Sequence, residues 1–245
     1  MSTKTVDGCD VHVVSPDVAR HSGAVIYLHG GAYINEIQRL HWKLIADIAA
    51  QVGVEVWVPI YGLAPQYHAD DAIRLMHKVL DLASGRGPTY LIGDSAGGGL
   101  ALATAQSWSE TGGAAPVGLT AIAPWLDIGL RNPDIAALEL RDPWLSTTGL
   151  RIVGRVWAGR MSLDDPAVSP ILGDLTRLPP TDMYVGDRDI TLADCRVFRD
   201  RVPRGRLEYH EQPGGLHVYP LLPVPEGRAA RRDVLDRIQT AMAKV

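Results

Sequence analysis

Cysteine is nearly absent: the chain of 245 residues holds only Cys9 and Cys195. They lie far apart and form no CxxC or metal-type spacing, which argues against a disulfide framework. Cys195 reads as a small apolar packing residue. No apolar run approaches the roughly 18 residues that would suggest a membrane-spanning helix. The opening MSTKTVDGCDVHVV lacks the apolar stretch of a secretory leader, so a soluble cytoplasmic protein is expected. There is no long run of one charge, and the net charge is −4, so neither a nucleic acid nor an anionic membrane is expected as a partner. Lysine is scarce beside arginine, a bias of composition rather than a functional signal. The chain has no internal repeat, no low-complexity tract and no interdomain linker. It also lacks the GK[ST] of a phosphate-binding loop, and it has no G-x-G-x-x-G after its first strand for a dinucleotide.

The chain is 46% apolar and 21% charged, ordinary for a globular protein, and its length suits one large α/β domain with a core that needs no staples. Short apolar runs alternate with longer amphipathic ones, which predicts a mostly parallel sheet covered by helices. Strands are expected at Gly23–His29, Val54–Ile60, Thr89–Ile92, Val117–Ala123, Asp182–Val185 and Arg206–Glu211, with a weaker one at Val11–Val14. Helices are expected at His41–Val52 (stopped by Gly53), Ala69–Leu82, from near Ser95 through Leu100–Trp108, at Leu192–Val202 and at Arg228–Ala243. The stretch from Pro124 to Pro170 breaks the rhythm. Its two helical patterns, Asp134–Leu140 and Ser146–Arg160, predict an insertion over the C-terminal edge of the sheet.

Two glycine-rich strand ends carry the chemistry. Gly93-Asp94-Ser95-Ala96-Gly97 fits G-x-S-x-G, with an apolar strand running in and a small-residue helix running out. That is the setting of a nucleophile elbow, where a serine sits on a strained turn and side chains at the flanking positions would collide. The strand ending at His29 continues as Gly30-Gly31-Ala32-Tyr33. Its glycine N–H groups, Gly30 and Gly31, with that of Ala96, are candidate donors to a developing alkoxide. His29 is expected to hold this loop through a side-chain hydrogen bond.

Of eight histidines only His210 and His217 follow the serine. His210 lies within an expected strand. His217 lies in the loop Gly214-Gly215-Leu216-His217, where an imidazole can reach the serine as general base. Three acids could orient it: Asp187 and Asp189, in a loop directly after a strand, and Asp127. The order serine, acid, histidine is the one this kind of elbow uses.

These motifs resemble the hormone-sensitive-lipase-like (bacterial type IV) esterases of the α/β-hydrolase superfamily. The matching segments are His29-Gly30-Gly31-Ala32, Tyr61-Gly62-Leu63-Ala64-Pro65-Gln66, Gly93-Asp94-Ser95-Ala96-Gly97-Gly98, Pro124-Trp125-Leu126-Asp127, Ser169-Pro170, Asp189–Asp194 and the His217 loop. The resemblance places the acid on Asp189. It implies an eight-stranded, mostly parallel sheet under a helical cap, and a carboxylesterase for short-to-medium acyl esters that needs no cofactor or metal. The partner is then a small-molecule ester, with the protein a monomer or homodimer. Lactone or amide hydrolysis would use the same residues, and a catalytically silent binding protein is the reading from another class. Three departures stand out. Only residues 1–22 precede the first clear strand, so a truncated N-terminal cap and a reduced cap built mainly from 124–170 are expected. Gly62 and Gln66 replace an arginine and a glutamate, and the acid segment D-I-T-L-A-D lacks the usual proline. Tyr33, Trp125, Trp144 and Trp157 are candidates to line an apolar acyl pocket.

Overall fold

The computed structural model describes residues 1–244. The chain begins with a hairpin. β1 (Ser2–Val6) and β2 (Cys9–Val14) pair antiparallel across Asp7 and Gly8, both at positive φ (51° and 78°). Those two left-handed residues are what a tight two-residue hairpin turn requires. In β2 the apolar Val11 and Val13 face inward, so only this strand shows a core pattern in the sequence. β1 is polar and mostly exposed, and the sequence reading missed it.

The remaining strands are β3 (Ala24–Leu28), β4 (Glu55–Pro59), β5 (Thr89–Asp94), β6 (Gly118–Ile122), β7 (Thr181–Gly186) and β8 (Leu207–Gln212). They complete one eight-stranded sheet in the order β1-β2-β4-β3-β5-β6-β7-β8, parallel from β4 onward and antiparallel at β1–β2 and β2–β4. Every residue of β3, β5 and β6 is buried, as in parallel strands covered on both faces. The order reverses at β3: the chain steps outward to β4, then returns to place β5 on the other side. The loops leaving β3 and β5 therefore part company at the C-terminal edge and open a crevice there.

Helices cover both faces. α1 (Arg39–Asp47) runs into a π-helical turn, Ile48–Val52, that Gly53 ends at φ 76°. α2 (Ala69–Ser84), α3 (Ala96–Glu110), α6 (Leu192–Arg201) and α7 (Pro225–Met242) follow the expected helical periods, with Pro225 opening α7 at a position where its missing N–H costs nothing. Leu75, Leu100 and Phe198 bring α2, α3 and α6 into the core on one face. Leu44, Val234 and Ile238 bring α1 and α7 into the core on the other. Between β6 and β7 the 124–170 segment folds as α4 (Ile135–Glu139) and α5 (Thr147–Ala158) joined by turns, shorter than the patterns suggested but at the expected places. Among the described residues no helix is long and apolar enough to cross a membrane.

Candidate active site

Ser95 sits between the last residue of β5 and the first of α3 with φ 51°, in the left-handed region where a non-glycine residue is strained. The surroundings hold it there. Its N–H donates to Ile122 O at 2.8 Å, and its carbonyl accepts from Gly99 N and Trp125 N at 3.0 Å each. The turn closes only because its neighbours have no side chains. A Cβ on Gly97 would stand 2.0 Å from Leu28 O, and one on Gly93 2.3 Å from Gly97 O.

His217 and Asp189 reach this serine from the far loops. His217 Nε2 lies 2.9 Å from Ser95 Oγ, and His217 Nδ1 lies 2.8 Å from Asp189 Oδ2. Asp189 is fully buried, and its other oxygen accepts the N–H of Thr191 at 2.9 Å, which fixes the carboxylate plane. The two other acids go elsewhere. Asp187 accepts the N–H of Gly214 at 2.7 Å and so fastens the loop that carries His217 without meeting the ring. Asp127 accepts from Gly129 N at 2.9 Å and pairs with Arg131 at 2.9 Å. His210 remains on β8, stacked on Tyr184 with ring centroids 4.3 Å apart.

Burial pushes the His217 imidazole pKa down. The Asp189 carboxylate, through its charge and its hydrogen bond, together with the charges of Asp142 and Asp94, outweighs burial and raises the pKa above the ordinary histidine value. Only the neutral ring can take a proton from Ser95. Any rate that needs His217 neutral is therefore expected to fall as pH drops through the raised pKa. A profile of kcat/KM against pH should show an acid-side midpoint above the ordinary ~6.5 of histidine, and a midpoint at or below that value would contradict the pairing.

The loop after β3 is organised by a buried carboxylate that the sequence reading did not single out. Asp94 accepts from Tyr27 Oη at 2.8 Å, Gly30 N at 3.1 Å and His41 Nε2 at 3.2 Å. His41 Nδ1 accepts the N–H of Gln38 at 2.8 Å, which leaves Nε2 to carry the proton. Burial pushes the Asp94 pKa up, and His41 with the bonds from Tyr27 and Gly30 more than offsets it, holding the group below the usual carboxylate range. His29 holds the loop as expected: its Nδ1 lies 2.7 Å from Gly30 O, and its ring stacks on Tyr61 at 4.5 Å.

This arrangement corrects one expected donor. The N–H of Gly30 is already given to Asp94 Oδ1 at 3.1 Å. The free donors shift one residue along. The N–H groups of Gly31 (φ 124°) and Ala32 (φ 52°) meet no acceptor among the described residues, and both residues line the hollow beside Ser95. Ala96, the first residue of α3, adds an N–H of the unpaired first turn.

That hollow is a cavity of about 270 Å³ at the C-terminal edge. Ser95, His217, His41 and Asp94 form its polar part. Trp125, Leu130, Leu145, Leu150, Ile190 and Val218 form its apolar wall. Of the expected aromatic candidates only Trp125 lines it. Tyr33 is buried beneath, stacked on Trp157 at 4.0 Å and donating its hydroxyl to Ala96 O at 2.7 Å, so both rings support the elbow instead of a ligand. Trp144 is 53% exposed and outside the lining. Leu130, Leu145 and Leu150 of the 124–170 segment stand beside Trp125 where Tyr33, Trp144 and Trp157 were expected. A larger hollow of about 470 Å³ lies at the opposite edge of the sheet, between the starts of β6, β7 and β8 and the end of α7. Its lining contains no serine, cysteine or histidine. Among the described residues no cluster of three histidine, cysteine, aspartate or glutamate side chains could hold a metal.

The alpha/beta hydrolase fold family is matched over residues 25–221, from β3 to just past His217. The chain belongs to this family. Among its relatives, a Mycobacterium tuberculosis protein that provisionally carries the name acetyl-hydrolase LipR is 34% identical over 245 residues, covering 96% of this chain and 79% of that protein. An acetyl-hydrolase of Streptomyces hygroscopicus is 30% identical, covering 92% of this chain and 78% of that one. A crystal structure of an esterase from the bacterial hormone-sensitive lipase family superposes with a TM-score of 0.89 at 25% identity, covering 98% of this hydrolase-fold chain and 84% of the other.

Proposed function

We propose that this member of the hydrolase-fold family is a carboxylic ester hydrolase working through an acyl-enzyme on Ser95, with Asp189 and His217 as the other members of its triad. The observation that carries the reading is the unbroken chain Asp189–His217–Ser95, at 2.8 and 2.9 Å, which ends in a cavity beside the unpaired N–H groups of Gly31 and Ala32.

His217 Nε2 takes the Ser95 proton as Oγ bonds to the ester carbonyl carbon, and the carbonyl π electrons move onto oxygen. The N–H groups of Gly31, Ala32 and Ala96 hold that oxyanion. One such donor typically supplies about 2.7–4 kcal/mol to the transition state. As the tetrahedral species collapses, the bond to the leaving alkoxide breaks and His217 returns its proton to that oxygen. A water then repeats the sequence on the acyl-serine, with His217 again as base. Asp189 keeps Nδ1–H pointed at itself and so leaves Nε2 free to accept.

The wall and the relatives support a short-acyl ester as the substrate class. The cavity of about 270 Å³ falls at the small end of the ~300–1,000 Å³ usual for ligand sites. Its leucine and tryptophan wall offers no charge to an acyl chain. Relatives carrying the name acetyl-hydrolase support short acyl groups. Hydrolysis of p-nitrophenyl esters across increasing acyl length tests this. kcat/KM is expected to be highest for acetate to butyrate and to fall steeply for long chains. A rate that climbs toward long acyl chains contradicts the size argument, and no turnover of any ester contradicts the reaction.

A further inference from the structure

Asp142 belongs to the 124–170 segment, between α4 and α5, and is only 9% exposed. Both of its oxygens are committed. Oδ1 accepts the N–H groups of Trp144 at 2.9 Å and Leu145 at 3.0 Å. Oδ2 accepts the N–H of Ile190 at 3.0 Å. The first pair shapes the backbone around Leu145, whose side chain walls the cavity, and the other bond holds the residue directly after Asp189. A second link between the same two segments, Arg141 to Asp187 at 3.7 Å, is 57% exposed on the arginine side. Water screens such a pair, and it carries little weight beside a buried carboxylate with three backbone donors.

We propose that Asp142 is a positioning residue that couples the apolar wall of the cavity to the loop of Asp189, so that seating of the acyl group and alignment of Asp189 on His217 are one structural event. The inference rests on the acyl-transfer reading above. A wall that settles against an acyl group pulls through Asp142 on the Ile190 amide, and the neighbouring Asp189 sets the tautomer of His217.

The charge of Asp142 gives a second handle. His217 faces Asp189 from the loop after β7, Asp142 from the 124–170 segment, and Asp94 and Ser95 from the end of β5, with His41 of α1 sharing the cavity. Asp142 acts on His217 in the direction that raises its pKa. Removing that charge is therefore expected to move the acid limb of His217-dependent chemistry to lower pH.

Asp142→Asn is the discriminating variant. Its size is unchanged, but its single oxygen can serve either the Trp144 and Leu145 pair or Ile190, and its amide then meets an N–H on the other side. Glu139→Gln is the control. Glu139 anchors the start of α5 by accepting Thr147 N at 2.7 Å, and none of its hydrogen bonds reaches the loop of Asp189. The rate at which a fluorophosphonate labels Ser95 is measured against pH for both variants and wild type, with Tm and p-nitrophenyl acetate kinetics alongside. Asp142→Asn is expected to lower the alkaline plateau about tenfold or more, as misplaced catalytic groups do, to move the acid midpoint to lower pH, and to reduce kcat more than KM. Glu139→Gln is expected to lower Tm only. Should Asp142→Asn not fold, hydrogen exchange on wild type carries the test: the amides of Trp144, Leu145 and Ile190 should gain protection together when Ser95 is phosphonylated. An Asp142→Asn protein with wild-type plateau and midpoint, equal losses in both variants, or independent protection of those amides overturns the proposal. A wild-type protein that neither labels nor cleaves esters overturns the acyl-transfer reading, and this inference with it.

Discussion

Ser95→Ala is expected to lower kcat on p-nitrophenyl acetate by roughly six orders of magnitude, the loss seen when the nucleophile of such a unit is removed. At room temperature that is about 8 kcal/mol of transition-state stabilisation. KM should change little, because Trp125, Leu130, Leu145 and Leu150, which wall the cavity, are untouched. The fold should also survive. The bonds that hold residue 95 at φ 51° are its backbone N–H to Ile122 O and its carbonyl to Gly99 and Trp125, and alanine keeps all of them. Residual hydrolysis above water, supported by the N–H groups of Gly31, Ala32 and Ala96, is expected. Steady-state kinetics on protein freed of wild-type contamination checks this. Activity within tenfold of wild type would remove Ser95 from the mechanism.

Asp189→Asn should cost about four orders of magnitude in kcat, while Asp187→Asn should stay within about fivefold, as replacements away from the reacting groups do. The reason is geometric. Asp189 Oδ1 already accepts the Thr191 N–H at 2.9 Å, so an asparagine places its oxygen there and turns its NH2 toward His217 Nδ1. The ring then accepts at Nδ1 and must carry its proton on Nε2, toward Ser95, where it cannot act as base. At position 187 an asparagine oxygen still accepts the Gly214 N–H, so the His217 loop stays fastened. The two variants measured side by side separate two acids that stand two residues apart on one loop. Equal losses would mean that the pairing at 2.8 Å does not govern the tautomer.

The Ser95 turn was legible because its constraint is local: a serine forced to positive φ between packed backbones needs glycines at fixed offsets, and Gly93 and Gly97 supply them. The core strands and helices were legible for the same kind of reason, since β5 and β6 are short, mostly apolar and buried throughout, and α2 repeats its buried residues at helical spacing. β1 was not, because Ser2–Val6 packs almost nothing, although Asp7-Gly8 before a core strand was an available hairpin signal. The choice between Gly30 and Ala32 as donor depended on where a buried carboxylate 64 residues away points its oxygen, which no local pattern encodes. The acyl wall failed for a related reason. An aromatic residue buries well anywhere, so Tyr33 and Trp157 went to the core under the elbow and Trp144 to the surface, while Leu130, Leu145 and Leu150 line the cavity. Asp94 lies inside the G-x-S-x-G motif at a position the motif leaves free, so the motif alone carries no signal for its buried role.

The proposed reaction requires a covalent acyl intermediate on Ser95. Wild-type protein mixed with p-nitrophenyl acetate, quenched within the first turnovers and digested, should yield the Ser95 peptide heavier by one acetyl group. The same treatment of Ser95→Ala should yield no acetylated peptide. Turnover without any acetylated Ser95 peptide, or acetylation at another residue that Ser95→Ala leaves in place, would contradict it.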